Sequence, residues 1–533
     1  MLVIIWMCFI IRCCFYSTLL PLWEGFDEWA HFAVSQQMSA SGRFIIDRNS
    51  RISRDIDASL DLAPLPRGMT SIPPDGITHD KYWQLDADER GKREKALREL
   101  PAQWAREYED DAMPAYEASQ PPLYYWLMAA WMKLLPNIPL MERVWCVRIL
   151  TGLVASLVVP IGYFLARDIF GSKPLALSLV AIVAVTPGVA FASSRVSNEG
   201  LSIPAFSLLL LAAIEWVRQP RRWLASAVGA LLGIGLLTKA YFLTAVPALI
   251  LLYVWCGKRS RRYKDLLVQA SITLGIALAI SGWWYVRNYI QTGTLSGLDE
   301  AVMLRNMGML EEIWKALGVN WVQAIAIIVS SHIWYGGWSL LALPKWIYFL
   351  GFGVFGASMY GIAKMLMRSR TPQVLLLLDF YTLFWMGQLY HIAMLFLSKG
   401  SSTAMGGWYL YSVIWAEVTL GIAGCLELIG VKYRQHVVAA LLIGVAAIDI
   451  YGIHAVSIPY YVQAGVTLDL SRLLVNKPGF IGMNGLFLLW VGYTLSTSII
   501  VIVGIASLRK LDSDQPAGSV PAGNPHCILR HNA

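Results

Sequence analysis

Charge is what this chain has least of. Asp, Glu, Lys and Arg make up 15% of its 533 residues, against about 25% in a soluble domain. Hydrophobic residues reach 56%, and mean hydropathy is +0.53. That balance argues against a soluble enzyme and for a membrane protein. Cysteine is also scarce. The seven are Cys8, Cys13, Cys14, Cys146, Cys256, Cys425 and Cys527, and none forms a CxxC. The spacing indicates neither a zinc site nor a disulfide framework. Cys527 stands too far from the last residue for a prenylation box. Repeats and low-complexity tracts are absent. The net charge of +8 is not gathered in one patch, so nucleic acid is not an expected partner.

Long apolar runs are what the chain has in quantity. A helical span needs about 20 apolar residues. Twelve candidates result: 2–20, 144–166, 175–193, 201–217, 223–238, 240–256, 266–285, 344–366, 373–396, 408–428, 437–456 and 484–507. The first reads as a signal-anchor helix, because no small-residue cleavage site follows it. The segment 317–335 is apolar but interrupted by Asn320, Gln323, Ser330, Ser331 and His332. It reads as a helix outside the membrane or dipping into it. With a cytoplasmic N-terminus, the basic clusters Arg167/Lys173, Arg218/Arg221/Arg222, 258–264, Lys364/Arg368/Arg370, Lys432/Arg434 and Arg509/Lys510 all fall at cytoplasmic span ends. Lys and Arg favour that side.

The stretch 21–120 differs from the rest. It holds 19 of the 35 acidic residues and 12 of the 43 basic ones. A connection of that length is usually functional. Its part 84–111 is rich in Glu, Arg, Lys and Ala and predicts a helix, after an irregular stretch marked by Pro64, Pro66, Pro73 and Pro74. Further on, Ser119 is a possible cap and Pro121 and Pro122 suit a first helical turn. The helix they open, to about Leu135, is too short to cross and suits the interface. The expected organisation is a first transmembrane helix over 1–20, an extracytoplasmic loop with juxtamembrane helices over 21–143, a bundle over 144–508 and a disordered cytoplasmic tail over 509–533.

Chemistry concentrates at the expected outer ends of the spans. Phe26-Asp27-Glu28-Trp-Ala-His31-Phe32 follows the first apolar run. An ionisable cluster there needs partners or a function. Asn198-Glu199, with Arg195 just before it, joins spans three and four. Thr238-Lys239-Ala-Tyr241 turns between spans five and six. Trp284-Tyr285-Val-Arg287-Asn288 closes span seven, and Lys399 lies between spans nine and ten. A sugar phosphate needs this mixture: cations for the phosphate, carboxylates for a metal or a proton, aromatic faces for the sugar. The plainer alternative is that Lys239 and Arg287 only snorkel and Glu199 only favours its helix N-terminus. Asp379, Glu417 and Asp449 lie within spans; read alone they suggest a proton relay, but buried structural partners or near-interface positions are the better reading. His332, His391 and His454 lack metal-ligand spacing and read as structural.

Phe26-Asp-Glu-x-x-His-Phe, Gln120-Pro-Pro-Leu-Tyr-Tyr, Asn198-Glu199, Gly235-Leu-Leu-Thr-Lys239 and Trp284-Tyr-x-Arg287-Asn288 occur in an order that resembles the GT-C glycosyltransferases over most of 1–460. The resemblance is to the protein O-mannosyltransferase and aminoarabinose transferase group. It implies an all-α polytopic bundle of about 12 transmembrane helices, with the active site at the outer face of a bacterial cell membrane. The implied donor is a polyprenyl-phosphate sugar, and the acceptor a glycan, lipid or protein. Asp27 would be the general base, with Glu28 in reserve, and transfer would invert the anomeric centre. Arg287 and Lys239 would bind the donor phosphate, with Arg195 and Lys399 as further candidates. Glu199, Asn198 and His31 would orient the acceptor, or Glu199 would complete a Mg²⁺ or Mn²⁺ site with Asp27. Gln120, Pro121, Tyr124, Tyr125, Tyr285 and Asn288 would line the substrate pocket. Two departures matter. The second acidic motif is commonly Asn-Asp or Asp-x-Asp, and Asn-Glu replaces it here. Gly407-Trp408-Tyr409 stands where some relatives have Gly-Arg-Tyr. A flippase, exporter or polymerase of lipid-linked sugars is the alternative.

The charge pattern gives a first test. Single cysteines placed in 21–120, at 198 and at 287 on a cysteine-depleted background are expected to react with a membrane-impermeant reagent from outside. Cysteines in 258–264 are expected to be protected. Labelling of the latter in intact cells would overturn this topology.

Overall fold

The computed structural model describes residues 1–69, 76–135, 137–368, 371–401, 406–463 and 469–513. Pro73, Pro74, Cys527 and most of the predicted tail lie outside them. Among the described residues, ten helices are long and apolar enough to cross a membrane, or up to twelve if two bent pairs each count as one. The chain is an all-α polytopic membrane protein. The only sheet among the described residues pairs Pro64–Leu65 with Ile77–Thr78.

Eleven of the twelve expected spans correspond to long helices or to a bent pair. These include Leu2–Leu19, Glu199–Arg218, Tyr263–Thr292 and Met483–Lys510. Arg222–Leu236 falls short of a span at 15 residues, ending before the turn that carries Lys239. The expected single span 175–193 is two helices, Lys173–Val185 and Pro187–Ser193, bent by 64°. Pro187 lacks the N–H that would continue the ladder. The ambiguous segment is also broken, with Met309–Ala316 and Trp321–Ile333 meeting at 80°.

The bend at Pro187 leaves carbonyls without helical partners, and Arg12 supplies them. Its Nε donates to Ala184 O at 3.1 Å and its NH2 to Val185 O at 3.4 Å. The same guanidinium pairs with Asp449 at 3.0 Å, both side chains fully buried. Tyr16 and Tyr493 hydroxyls donate to the Asp449 carboxylate. This node ties Leu2–Leu19 to Arg434–Tyr451 and to Met483–Ser513. Asp449 is thus a structural partner, as expected, and so is Glu417, 2.7 Å from His332.

The first loop folds as a cap with a core of its own. Trp23, Trp29, Phe32, Ile56, Leu60 and Met128 are among its buried residues. Only part of 84–111 is the predicted helix. Ala87–Arg98 is α-helical and Ala102–Arg106 is a 3-10 turn, with Pro101 between them. The interfacial helix runs Leu123–Leu134. Ser119 does not cap it: its hydroxyl donates back to Tyr116 O. Instead Leu123 N donates to Leu237 O at 2.9 Å, which pins the Gln-Pro-Pro segment to the Lys239 turn.

A lone charge in a membrane core is costly, and removing one member of a buried pair costs about 3–5 kcal/mol. Arg12→Leu is therefore expected to lower the yield and melting temperature of detergent-purified protein sharply. Activity per folded molecule should stay close to wild type. Unchanged melting would show that the Asp449 node carries no stability.

Candidate active site

The chain leaves the first helix through Pro21 and turns at Asp27, which occupies the N-cap position of the helix Glu28–Ser41 in a left-handed conformation at φ 55°, without a side-chain capping bond. Asp tolerates that region better than most residues. The turn aims the two adjacent carboxylates differently. Glu28 is fully buried. Its Oε1 accepts from Arg148 Nε at 2.7 Å and Val196 N at 2.9 Å. Its Oε2 accepts from Arg148 NH2 at 2.6 Å and Gly25 N at 3.3 Å. A carboxylate offers about four acceptor sites, and all are used. Arg148 also donates to the carbonyls of Ser17, Leu20 and Pro21 at 3.0, 2.8 and 2.8 Å. Gly25 is required here, because a Cβ would meet Arg195 and Glu28 side-chain carbons at 2.9 and 3.0 Å.

Asp27 is only half-buried. The Tyr116 hydroxyl donates to its Oδ1, and Oδ2 makes no hydrogen bond among the described residues. Burial pushes its carboxyl above the usual range, with Glu199 adding to the rise. The Tyr116 bond and the Arg195 and Lys239 charges oppose it. A carboxylate raised in this way suits proton abstraction near neutral pH.

Glu199 opens the helix Glu199–Arg218 and is buried between two cations. Arg195 NH2 lies 3.2 Å from its Oε2, and Lys239 Nζ pairs with its Oε1. Arg195 also donates to Phe26 O at 2.8 Å and lies over the Phe26 ring at 5.1 Å. Among the described residues its Nε has no partner, nor do the buried amide atoms of Asn198 or the Oε1 of Gln120. Lys239 Nζ sits 4.9 Å from the Tyr409 ring centroid and 5.4 Å from that of Tyr241. Trp408, in the place of the arginine of some relatives, stacks on Phe26 with centroids 3.8 Å apart.

The structure brings together Asp27, Glu28, His31, Tyr124, Tyr125, Arg195, Asn198, Glu199 and Lys239. Tyr124 accepts from Ser197 N at 3.0 Å. His31 Nδ1 and the Tyr125 hydroxyl are 2.8 Å apart. Burial holds the His31 imidazole down at about 3, so it is neutral at pH 7. Other expected residues stand elsewhere. Arg287 stacks on Trp284 at 5.0 Å, and its charged neighbours are Asp47 and Arg48. Lys399 pairs with Glu300 at 2.6 Å on an exposed side chain; its neighbours 402 and 403 are outside the described residues. Asn288 ties down the Leu295 and Ser296 carbonyls, and Tyr285 donates to Leu236 O at 3.0 Å. Pro121 shapes the entry to the interfacial helix.

The donor set does not favour a divalent cation. Both Glu199 oxygens face cations, and no group of three His, Cys, Asp or Glu residues suited to a metal occurs among the described residues. Sequence reasoning missed Arg148, Tyr116 and Glu117. Arg148 carried a readable signal, a lone cation in an apolar run. Tyr116 and Glu117 carried none in an acid-rich loop.

Residues 119–285 match the family model of dolichyl-phosphate-mannose-protein mannosyltransferase. The match starts at the Gln-Pro-Pro segment, contains Glu199 and Lys239, and excludes Asp27. No curated protein matches the chain. Among solved structures, ArnT from Cupriavidus metallidurans bound to undecaprenyl phosphate is 14% identical, over 95% of this chain and 75% of that one, with a TM-score of 0.49. The archaeal oligosaccharyltransferase AglB from Archaeoglobus fulgidus, in complex with an inhibitory peptide and a dolichol-phosphate, is 10% identical, over 96% and 58%, with a TM-score of 0.40.

The saturated Glu28 generates a test that separates it from Asp27. Glu28→Gln and Arg148→Met are each expected to lower thermal stability, by roughly 3–5 kcal/mol for a broken buried pair. The double variant should lose clearly less than the two single losses combined. Strict additivity in that cycle would refute the pairing. The chain is an integral multi-pass membrane protein, similar over 119–285 to the GT-C membrane glycosyltransferases of the dolichyl-phosphate-mannose-protein mannosyltransferase family.

Proposed function

We propose that this protein is a GT-C type glycosyltransferase that moves a sugar from a polyprenyl-phosphate donor to an acceptor hydroxyl at the extracytoplasmic membrane interface. The observation that carries the reading is Asp27. It is a half-buried carboxylate with one oxygen unengaged among the described residues, beside two cations fixed on Glu199.

Asp27 takes the proton of the acceptor hydroxyl. The acceptor oxygen bonds to the anomeric carbon from the face opposite the leaving group. The carbon–oxygen bond to phosphate breaks, and its electron pair leaves with the polyprenyl phosphate. Arg195 and Lys239 stabilise the developing phosphate charge, and their positions are set before the reaction. The Nε of Arg195, without a partner among the described residues, is a donor available for that role. Arg287 is reassigned from phosphate binding to an aromatic brace. No step is routed through a metal. The transport reading drew on charges inside the spans. Two of them, Asp449 and Glu417, are engaged by Arg12 and His332, which leaves little of a relay.

Asp27→Asn is expected to cut transfer by roughly 10²–10⁴-fold while leaving detergent-purified protein folded. The assay is consumption of radiolabelled polyprenyl-phosphate sugars, tested as a panel with cell-envelope acceptors. Retention of more than about a tenth of the activity, on the same proton-transfer scale, would remove Asp27 as the base. Consumption of none of the donors by wild type would count against the donor class.

A further inference from the structure

Next to Asp27 the site contains a second buried carboxyl that the reaction above does not use. Glu117 lies in the 3-10 turn Tyr116–Ser119, one residue after the tyrosine that donates to Asp27. Its Oε2 accepts from the Tyr125 hydroxyl at 3.3 Å and lies 3.4 Å from His31 Nδ1. Its Oε1 makes no contact of that kind among the described residues. No Lys or Arg comes within 4 Å of it there.

The charges around it do not balance. Asp27, Glu117 and Glu199 act on one another and share two cations, Arg195 and Lys239. Both cations are bound to Glu199. Glu28 and Arg148 neutralise each other. His31 is neutral, and Tyr116 and Tyr125 face the cluster as phenols. Three carboxyls against two cations leave one negative charge uncompensated in a buried site, before any phosphate arrives. Such a site lowers its energy by keeping a proton. Glu117 is the most suitable holder. It is more buried than Asp27 and is not within ion-pair range of a cation, unlike Glu199. Its carboxyl is pushed well up by burial first and the Asp27 charge second.

We propose that Glu117 works as a neutral carboxylic acid, donating a hydrogen bond from its free oxygen to an oxygen of the bound sugar or acceptor. The inference rests on Asp27 being the base. The proton on Glu117 is not transferred. It keeps the second carboxyl from repelling the donor phosphate, and it makes this side of the site a reader of uncharged oxygens. Asp27 alone changes protonation in the transfer step.

The test uses full-length protein in detergent. Glutamine keeps the shape and neutrality of a protonated Glu117 and still donates. Glu117→Gln is expected to retain transfer within about threefold of wild type, a shift of less than one decade on the scale where 1.4 kcal/mol is tenfold. Glu117→Ala is expected to lose more than tenfold. On the alkaline side, wild-type activity should fall as Glu117 ionises, and that fall should be absent in Glu117→Gln. The infrared spectrum at neutral pH should show a protonated-carboxyl band that Glu117→Gln removes and Asp27→Asn does not. Glu117→Gln as inactive as Glu117→Ala, or a band unchanged by Glu117→Gln, would overturn the proposal. Binding of unglycosylated polyprenyl phosphate by each variant checks that the site is folded. An active Asp27→Asn would refute the base assignment instead, whatever Glu117 does.

Discussion

The five N–H groups of Arg148 hold the site in place. A guanidinium buried among helices must satisfy every donor. Here two go to Glu28 and three to the carbonyls at the exit of the first helix. The second helix of the bundle thereby fixes the end of the first helix and the start of the cap helix at the same time. Glu28 passes the constraint on, because its oxygens also accept from Gly25 and Val196. Asp27 is adjacent and is left facing the site.

This explains why two neighbouring carboxylates have opposite fates. Glu28 is saturated, and a saturated carboxylate has no lone pair for a substrate proton. Asp27 is bound at one oxygen by a phenol, which orients it without neutralising it. The left-handed backbone at Asp27 separates the two side chains. Proximity in sequence therefore says little about shared chemistry.

A second arginine does similar work deeper in the bundle. Arg12 closes the carbonyls freed by the Pro187 bend and pairs with Asp449. Both arginines answer the same demand, that backbone groups in an apolar medium find partners. Glu199 applies the same logic at the candidate site. By holding Arg195 and Lys239 together it positions two cations beside Asp27, and its own charge is used up in doing so.

The apolar runs by themselves determined the membrane class and nearly all of the spans, because about twenty residues of low polarity have few other stable arrangements. The motif Phe26-Asp27-Glu28 and the Asn198-Glu199 and Lys239 turns were also legible as site elements. Other assignments needed tertiary structure. Arg287, Lys399, Tyr285 and Asn288 were also site candidates in sequence, yet they are engaged by Trp284, Glu300, the Leu236 carbonyl and the Leu295 and Ser296 carbonyls. Glu117 and Tyr116 were invisible among the loop's other polar residues until folding placed them beside Asp27. Length and hydropathy are properties of a segment, and the chain carries them directly. Which carboxylate is saturated and which is left open depends on groups more than a hundred residues away, such as Arg148. Only the packed fold brings these together.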